Sequence, residues 1–252
     1  MAKWLLGHAA HDENGKLSGG VAGDQTKNEV FTRSWYNRPW TVIIRFKDPL
    51  MAERNAMAME RACANDNIGY DQNQRNTLLT AARKVGYDPG QVTKKVETDC
   101  SALAALCAMY AGVPEKYLYR DGNSASTHVL RQWLEKTKMV DVYTSDKYTK
   151  SSDYLMRGDF LLYPGHHVAI ALSNGAKVTP RKISTETITP LEVSPTDVVS
   201  FVGYIAKIKA NVLNIRKGAS TKYSIAGTYK KGQYVFISKE QNGWGYANNT
   251  GW

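Results

Sequence analysis

Residues 98–112 read TDCSALAALCAMYAG, and the fold turns on how this stretch is read. Ala, Leu and Met dominate from Ser101 to Ala111, which favours a helix, and Gly112 followed by Pro114 stops the pattern. No polar stripe runs along it, so the helix is expected to be buried on all sides. Cys100 stands at its first turn, where unpaired backbone N–H groups and the positive end of the helix dipole favour a thiolate. The expectation is a lowered pKa and a strengthened nucleophile, with the same N–H groups suited to an oxyanion. Cys63 and Cys107 lie within helical patterns and read as inert buried thiols.

Working outward, PLMAERNAMAMERACANDN at 49–67 has helix formers at three- and four-residue spacing, with Pro49 suited to a first helical position. A weaker helical pattern at 71–85 ends in the turn-rich GYDPGQ, and SAST opens a capped amphipathic helix over 124–139. From about residue 155 the texture changes to short β-rich runs: RGDFLLY, HHVAIALSN, AKVTPRKI and VSFVGYIAKI. Helices followed by strands predict an α+β domain with one helix packed on an antiparallel sheet. The final stretch, with turn residues every 8–12 positions, predicts a small all-β barrel. The expected domains are therefore 1–202 and 203–252. Residues 1–48 are glycine-rich, then aromatic, with a strand at 41–46; they read as a loop and an edge strand whose role is open.

Composition narrows the partners. The 252 residues are 42% hydrophobic and 22% charged, ordinary for a globular chain, with a net charge of +10. Residues 203–252 hold eight Lys/Arg against one acid, so the tail end is the part that faces polyanions: nucleic acid, anionic headgroups or anionic wall polymers. The aromatic residues follow no base-stacking motif, which argues against nucleic acid. No run approaches ~18 apolar residues, so no membrane span is expected. The N-terminus falls short of a secretory apolar core and cleavage site, so synthesis and folding in the cytoplasm are expected. Three cysteines without CxxC spacing give no metal site and no disulfide framework, and no cofactor motif is present.

A nucleophilic thiolate needs a base. Of five histidines, His166 and His167 open the strand HHVAIAL after the turn YPG. Strand alternation puts His167, Ala169 and Ala171 on one face and His166, Val168 and Ile170 on the other. A helix-start cysteine followed by a strand-start histidine in an α+β chain points to a nucleophile and base pair.

TDCSALAALCAMYAG and, about 50 residues on, RGDFLLYPGHHVAIALSNG together resemble the NlpC-type cell-wall cysteine peptidases, papain-like enzymes that cleave peptidoglycan stem peptides. The resemblance covers roughly residues 68–180. It implies Cys100 as nucleophile and His167 as general base and acid, with Asp99 and Ser101 lining the substrate groove where relatives grip the amine end of a stem peptide. Tyr70, in IGYDQ, falls where the family carries an active-site tyrosine, and Asp159 in the "GD" pair reads as a structural turn residue. The family's third catalytic position corresponds to Thr179, which offers a hydroxyl and no charge; Asp24, Gln25 or His8 in the N-terminal segment could orient the imidazole in its stead. Residues 211–252 resemble the bacterial SH3-like modules that anchor lytic enzymes to walls, through LNIRKGAS, the Lys-Lys-Gly turn and the Gly-Trp pairs. The implied protein is a phage endolysin or autolysin with peptidoglycan as partner, acting on the wall after release. An endopeptidase is the first reading, an N-acetylmuramoyl-L-alanine amidase the second, and a catalytically idle wall binder comes from another class; a lipid acyltransferase uses the same pair.

Overall fold

The computed structural model describes residues 5–25, 29–179, 204–231, 234–241, 243–247 and 251–252. The chain divides into two compact units, Met1–Lys182 and Ile183–Trp252; the border expected at 202/203 lies outside the described residues.

The first unit opens with three strands, β1 (Leu5–Ala9), β2 (Val30–Ser34) and β3 (Val42–Phe46), before the helix α1 (Pro49–Cys63). Asp48 caps α1 by accepting from Leu50 N–H, and Pro49 sits where its missing N–H costs nothing. The helix stops at Cys63 rather than 67 because the Asn65 side chain turns to donate to the carbonyls of Pro89 and Val92. A parallel pair, β4 (Ile68–Tyr70) and β5 (Val96–Thr98), brackets the short helix α2 (Thr77–Ala82). Then come α3 (Cys100–Ala111), two two-residue strands β6 (Tyr119–Arg120) and β7 (Asn123–Ser124), and α4 (Leu130–Glu135). The unit ends with β8 (Val140–Tyr143), α5 (Asp146–Thr149), β9 (Phe160–Tyr163) and β10 (His167–Ala171). The helix expected over 124–139 is confined to α4, and its expected cap does not form: the Ser124 hydroxyl donates to Asn76 Oδ1 instead.

Six strands make one antiparallel sheet in the order β2-β1-β10-β9-β3-β8. Val168, Ile170, Phe160, Leu162, Ile44 and Phe46 enter the same core as α3, whose twelve residues are all buried, and Leu6, Ile43, Leu161, Ala169, Ala171 and Trp40 form a second core. A sheet covered on both faces explains the nearly continuous apolar runs. The N-terminal segment corrects the expectation of a loop and edge strand: β1 lies inside the sheet, satisfying the main-chain groups that β10 would otherwise leave bare. Its register pairs Leu6 with Ala171 and Gly7 with Ile170, so His8 follows opposite Ala169, on the face that His167 shares.

The "GD" pair is structural as expected. Gly158 takes φ 89° hard against the backbone of Ala52, where no Cβ fits. Asp159 accepts twice from the Arg45 guanidinium, at 2.7 and 2.6 Å, and from Met156 N–H, which ties β9 to β3 through a buried ion pair.

In the second unit, β11 (Tyr204–Lys207), β14 (Tyr234–Gln241) and β15 (Trp244–Ala247) form one antiparallel sheet, and β12 (Val212–Arg216) pairs with β13 (Ile225–Lys230) in another. The expected closed barrel is not what the described residues form. The two ladders share no strand and are joined by main-chain bonds of the last two residues, Ala247 with Gly251 and Arg216 with Trp252. Ile208, Val235, Ile237 and Ala247 are its buried core. Of the expected run AKVTPRKI, residues 176–179 form no strand and the rest lies outside the described residues.

One buried group predicts a pH-dependent stability. Glu97 in β5 is 1% exposed, and neither carboxylate oxygen has a hydrogen-bond partner among the described residues. Burial, then the neighbouring Glu29, Asp71, Glu13 and Asp12, push its pKa from 4.5 to about 8. Below pH 4.5 it is neutral folded or unfolded; as pH rises the unfolded chain ionises first, so stability falls until about pH 8. Glu97→Gln is expected to gain roughly 1–3 kcal/mol at pH 8.5 and little at pH 4.5. Thermal melts at the two pH values measure this, and an equal or absent gain would contradict the ionisation argument.

Candidate active site

The start of α3 is held by a polar network. Asp99, its N-cap, accepts from Ala102 N–H at 2.7 Å and from the Ser101 hydroxyl at 3.0 Å. Arg75 forks onto both Asp99 oxygens, at 2.6 and 3.1 Å, and also donates to Ser101 Oγ and the carbonyls of Ser124 and Ala125. Both Asp99 and Ser101 are buried. Their polar atoms are engaged in building the helix terminus, which leaves Asp99 no unpaired charge for an amine in a groove. Sequence reasoning misses Arg75, which makes this network: it falls in the weak helical pattern at 71–85, where a lone Arg carries no signal of its own, and the structure leaves it outside α2.

Cys100 is 6% exposed, and its sulfur receives the backbone N–H groups of Val168 and Ser101. The expected lowering of its pKa does not occur. Burial pushes the thiol up to about 12, Asp99 adds to the rise, and the two N–H groups with the Arg75 charge offset only part of it. Desolvation thus outweighs the helix terminus, and the resting group is a neutral thiol. Cys63 is pushed up to about 12 and Cys107 well above its usual value, both first by burial.

His167 directly precedes the residue whose N–H reaches Cys100. Its Nε2 lies 2.7 Å from Nδ1 of His8, on the strand alongside. Thr179 is exposed in the segment beyond the far end of β10, where Lys177 N–H bonds to the Asp153 carbonyl. His8 therefore stands where Thr179 was expected. Gln25 instead donates to the carbonyls of Ala62 and Asn65, and Asp24 is exposed. The signal for β1 is the apolar run LLGHA at 5–9; once that strand is placed beside β10, alternation alone puts His8 in register. Trp40 lies 6.0 Å from the His167 ring and closes one side.

Burial first, then the charges of Arg38 and Arg33, lower the His167 pKa to about 3. Burial, His167 and the same arginines hold His8 well below 6.5. Two neutral imidazoles share one proton between Nδ1 and Nε2. If His167 is to accept through Nδ1, the shared proton sits on its own Nε2 and His8 is the acceptor. Among the described residues no hydrogen bond joins the Cys100 sulfur to the His167 ring; the link between them is the Val168 N–H, one residue along the strand from His167.

Tyr70 ends β4 opposite Thr98, which brings it near Cys100 despite their separation along the chain. Gln72 Nε2 donates to that hydroxyl at 3.2 Å. Burial, then Cys100, raises the Tyr70 pKa, so it stays protonated and keeps its O–H to give. Tyr70, Gln72, His8 and His167 line an open cleft of about 570 Å³, together with Tyr36, Arg33 and Arg38. His166, exposed, also lines it and stacks 4.0 Å from the Tyr163 ring. Among the described residues no group of three or more His, Cys, Asp or Glu is placed to hold a metal ion, and no helix is long and apolar enough to cross a membrane.

No curated protein and no solved structure matches the chain. A family model described as an endolysin-like domain matches residues 6–178, a span that begins in β1 and contains His8, Tyr70, Cys100 and His167. With well over half of its length inside that match, the chain belongs to the endolysin-like domain family.

Proposed function

We propose that the protein is a peptidoglycan hydrolase that cleaves an amide of the stem peptide through Cys100, with His167 as base and acid and His8 as the residue that orients it. The observation that carries this is the meeting of α3, β10 and β1: a helix-start thiol, the histidine beside its hydrogen-bonded neighbour, and a second histidine 2.7 Å behind it. Membership of the endolysin-like family supports a cell-wall substrate.

In this reading substrate displaces water from the cleft and Cys100 gives its proton to His167 Nδ1 as its sulfur attacks the amide carbon. The charges form together: thiolate and imidazolium stabilise each other, and His8 accepts the Nε2–H of the imidazolium. The O–H of Tyr70 faces the developing oxyanion, with Gln72 holding the phenol in place. The tetrahedral intermediate collapses, the C–N bond breaks, and His167 returns the proton to the leaving amine. Water, deprotonated by the same histidine, then hydrolyses the thioester and restores the thiol.

The papain-like description of the first unit and the SH3-like description of the second belong to the same proposal. Helix α3 packed against an antiparallel sheet supports the first. The net charge of +7 over residues 203–252, with the resemblance of 211–252, supports wall anchoring by the second.

The test is digestion of purified peptidoglycan, with mass spectrometry of what is released. New amino termini within stem peptides are expected. Separation of whole stem peptides from muramic acid would instead select the amidase reading, and new reducing ends without new amines would overturn both. One observation favours the idle wall binder: the thiol is buried, neutral and not bonded to His167. Co-sedimentation with walls and no released fragment would select it.

A further inference from the structure

The cleft beside His167 is charged in one sense only. Arg33, Arg38, His8, His11, His166 and His167 line it, and among the described residues no Asp or Glu does. Among the described residues neither arginine is in an ion pair. The Arg33 guanidinium lies 3.9 Å above the centre of the Tyr36 ring, and Arg38 bonds to the hydroxyl of the same tyrosine while its buried Nε has no partner among the described residues. Two guanidinium groups are thus held on one aromatic side chain with donors to spare. The acid nearest the nucleophile, Asp99, is neutralised by Arg75.

Planar guanidinium donors outside any ion pair match the two oxygens of a carboxylate, and among the described residues of these walls no carboxylate is present to pair with an ammonium group. We propose that Arg33 and Arg38 form a subsite for a free carboxylate flanking the scissile amide, so that the substrate is a stem peptide whose carboxylate is not amidated. This rests on the hydrolase reading above. It reverses the sign of the recognition expected from the sequence, in which Asp99 gripped an amine.

The subsite also acts on the base. The two arginine charges add to burial in holding His167 down. A bound carboxylate neutralises them, so the substrate raises the proton affinity of the group that must take the Cys100 proton. Amidated peptides lose this contribution as well as the ion pair.

The test uses full-length Cys100→Ala protein, which binds without turnover, and two synthetic stem tetrapeptides identical except that their carboxylates are free or amidated. By calorimetry at low salt the free acid is expected to bind about tenfold more tightly. Arg38→Gln and Arg33→Gln are expected to erase that difference while melting like the parent, since neither side chain is in the core. Equal affinity for the two peptides, or a gap that survives both substitutions, would overturn the proposal. A glycerol-phosphate polymer is the competing anion: displacement of the free-acid peptide by it, at lower concentration than by the amidated peptide, would assign the arginines to phosphate instead. With wild type, the acidic limb of kcat is expected at higher pH than that of kcat/KM for the free acid, and at the same pH for the amide. Because binding is read without catalysis, a protein that releases nothing from walls would sink the hydrolase reading and still leave the carboxylate preference decided.

Discussion

Cys100→Ser is expected to lower the rate of fragment release from purified walls by about 10⁴-fold or more, equivalent to ~5.5 kcal/mol of transition-state stabilisation. The size follows from the environment of the group. The thiol is neutral and buried, pushed up to about 12, and in the proposed mechanism it depends on proton transfer to His167 at the moment of attack. A serine hydroxyl in its place starts as a much weaker acid in the same dry site and gains nothing from a base whose pKa lies near 3. Folding should be unaffected, since oxygen is smaller than sulfur and retains a capacity to accept from the Val168 and Ser101 N–H groups. The measurement is release of soluble amines by both proteins, with far-ultraviolet circular dichroism and wall co-sedimentation as controls. Retained activity in a folded, wall-bound Cys100→Ser protein would remove the cysteine from the mechanism.

His8→Leu is expected to cost roughly 10²–10³-fold in kcat, and Thr179→Ala less than about twofold. The contrast separates the strand beside β10 from the position that motif spacing suggests. Removing His8 deletes the hydrogen bond that the His167 ring makes through Nε2, so the ring is free to take the other tautomer and lose the orientation of Nδ1. His8→Asn keeps an acceptor at the strand position and is expected to recover a substantial part of the loss, which a purely structural role for β1 would not produce. His8 remains neutral through the physiological range because burial and the charges of His167, Arg33 and Arg38 hold it well below 6.5. Equal activity of His8→Leu and wild type, or a large effect at Thr179, would return the orienting role to the loop.

Several features are legible in the sequence because they depend on local pattern. The unbroken apolar stretch from Ser101 to Ala111 fits only a buried helix, and α3 is one, with Asp99 as its cap. Alternation in HHVAIAL puts His167 with Ala169 and Ala171, the face it shares in the second core. Gly158-Asp159 reads as a turn device, and the Arg45 ion pair supplies the reason. Other features depend on which segments meet. The helix position of Cys100 argues for an acidic thiol, yet its pKa is set by how much water remains around it, a property of the packed unit. SAST offers a cap that α4 does not use: the helix begins only at Leu130, while Ser124 ends β7 and gives its hydroxyl to Asn76.

By itself the sequence determined the mixed class of fold, helices with an antiparallel sheet, and the buried helix, and it singled out Cys100 and His167 as the candidate pair of the proposed mechanism, since helix and strand periodicity are written in neighbouring residues. Only the tertiary structure decided that β1 enters the sheet beside β10, that His8 and not Thr179 stands behind His167, and that Arg75 takes the charge of Asp99 while Arg33 and Arg38 line the cleft outside any ion pair among the described residues. The first three of these rest on partners far along the chain, chosen by which bare strand edge or buried charge most needed satisfying.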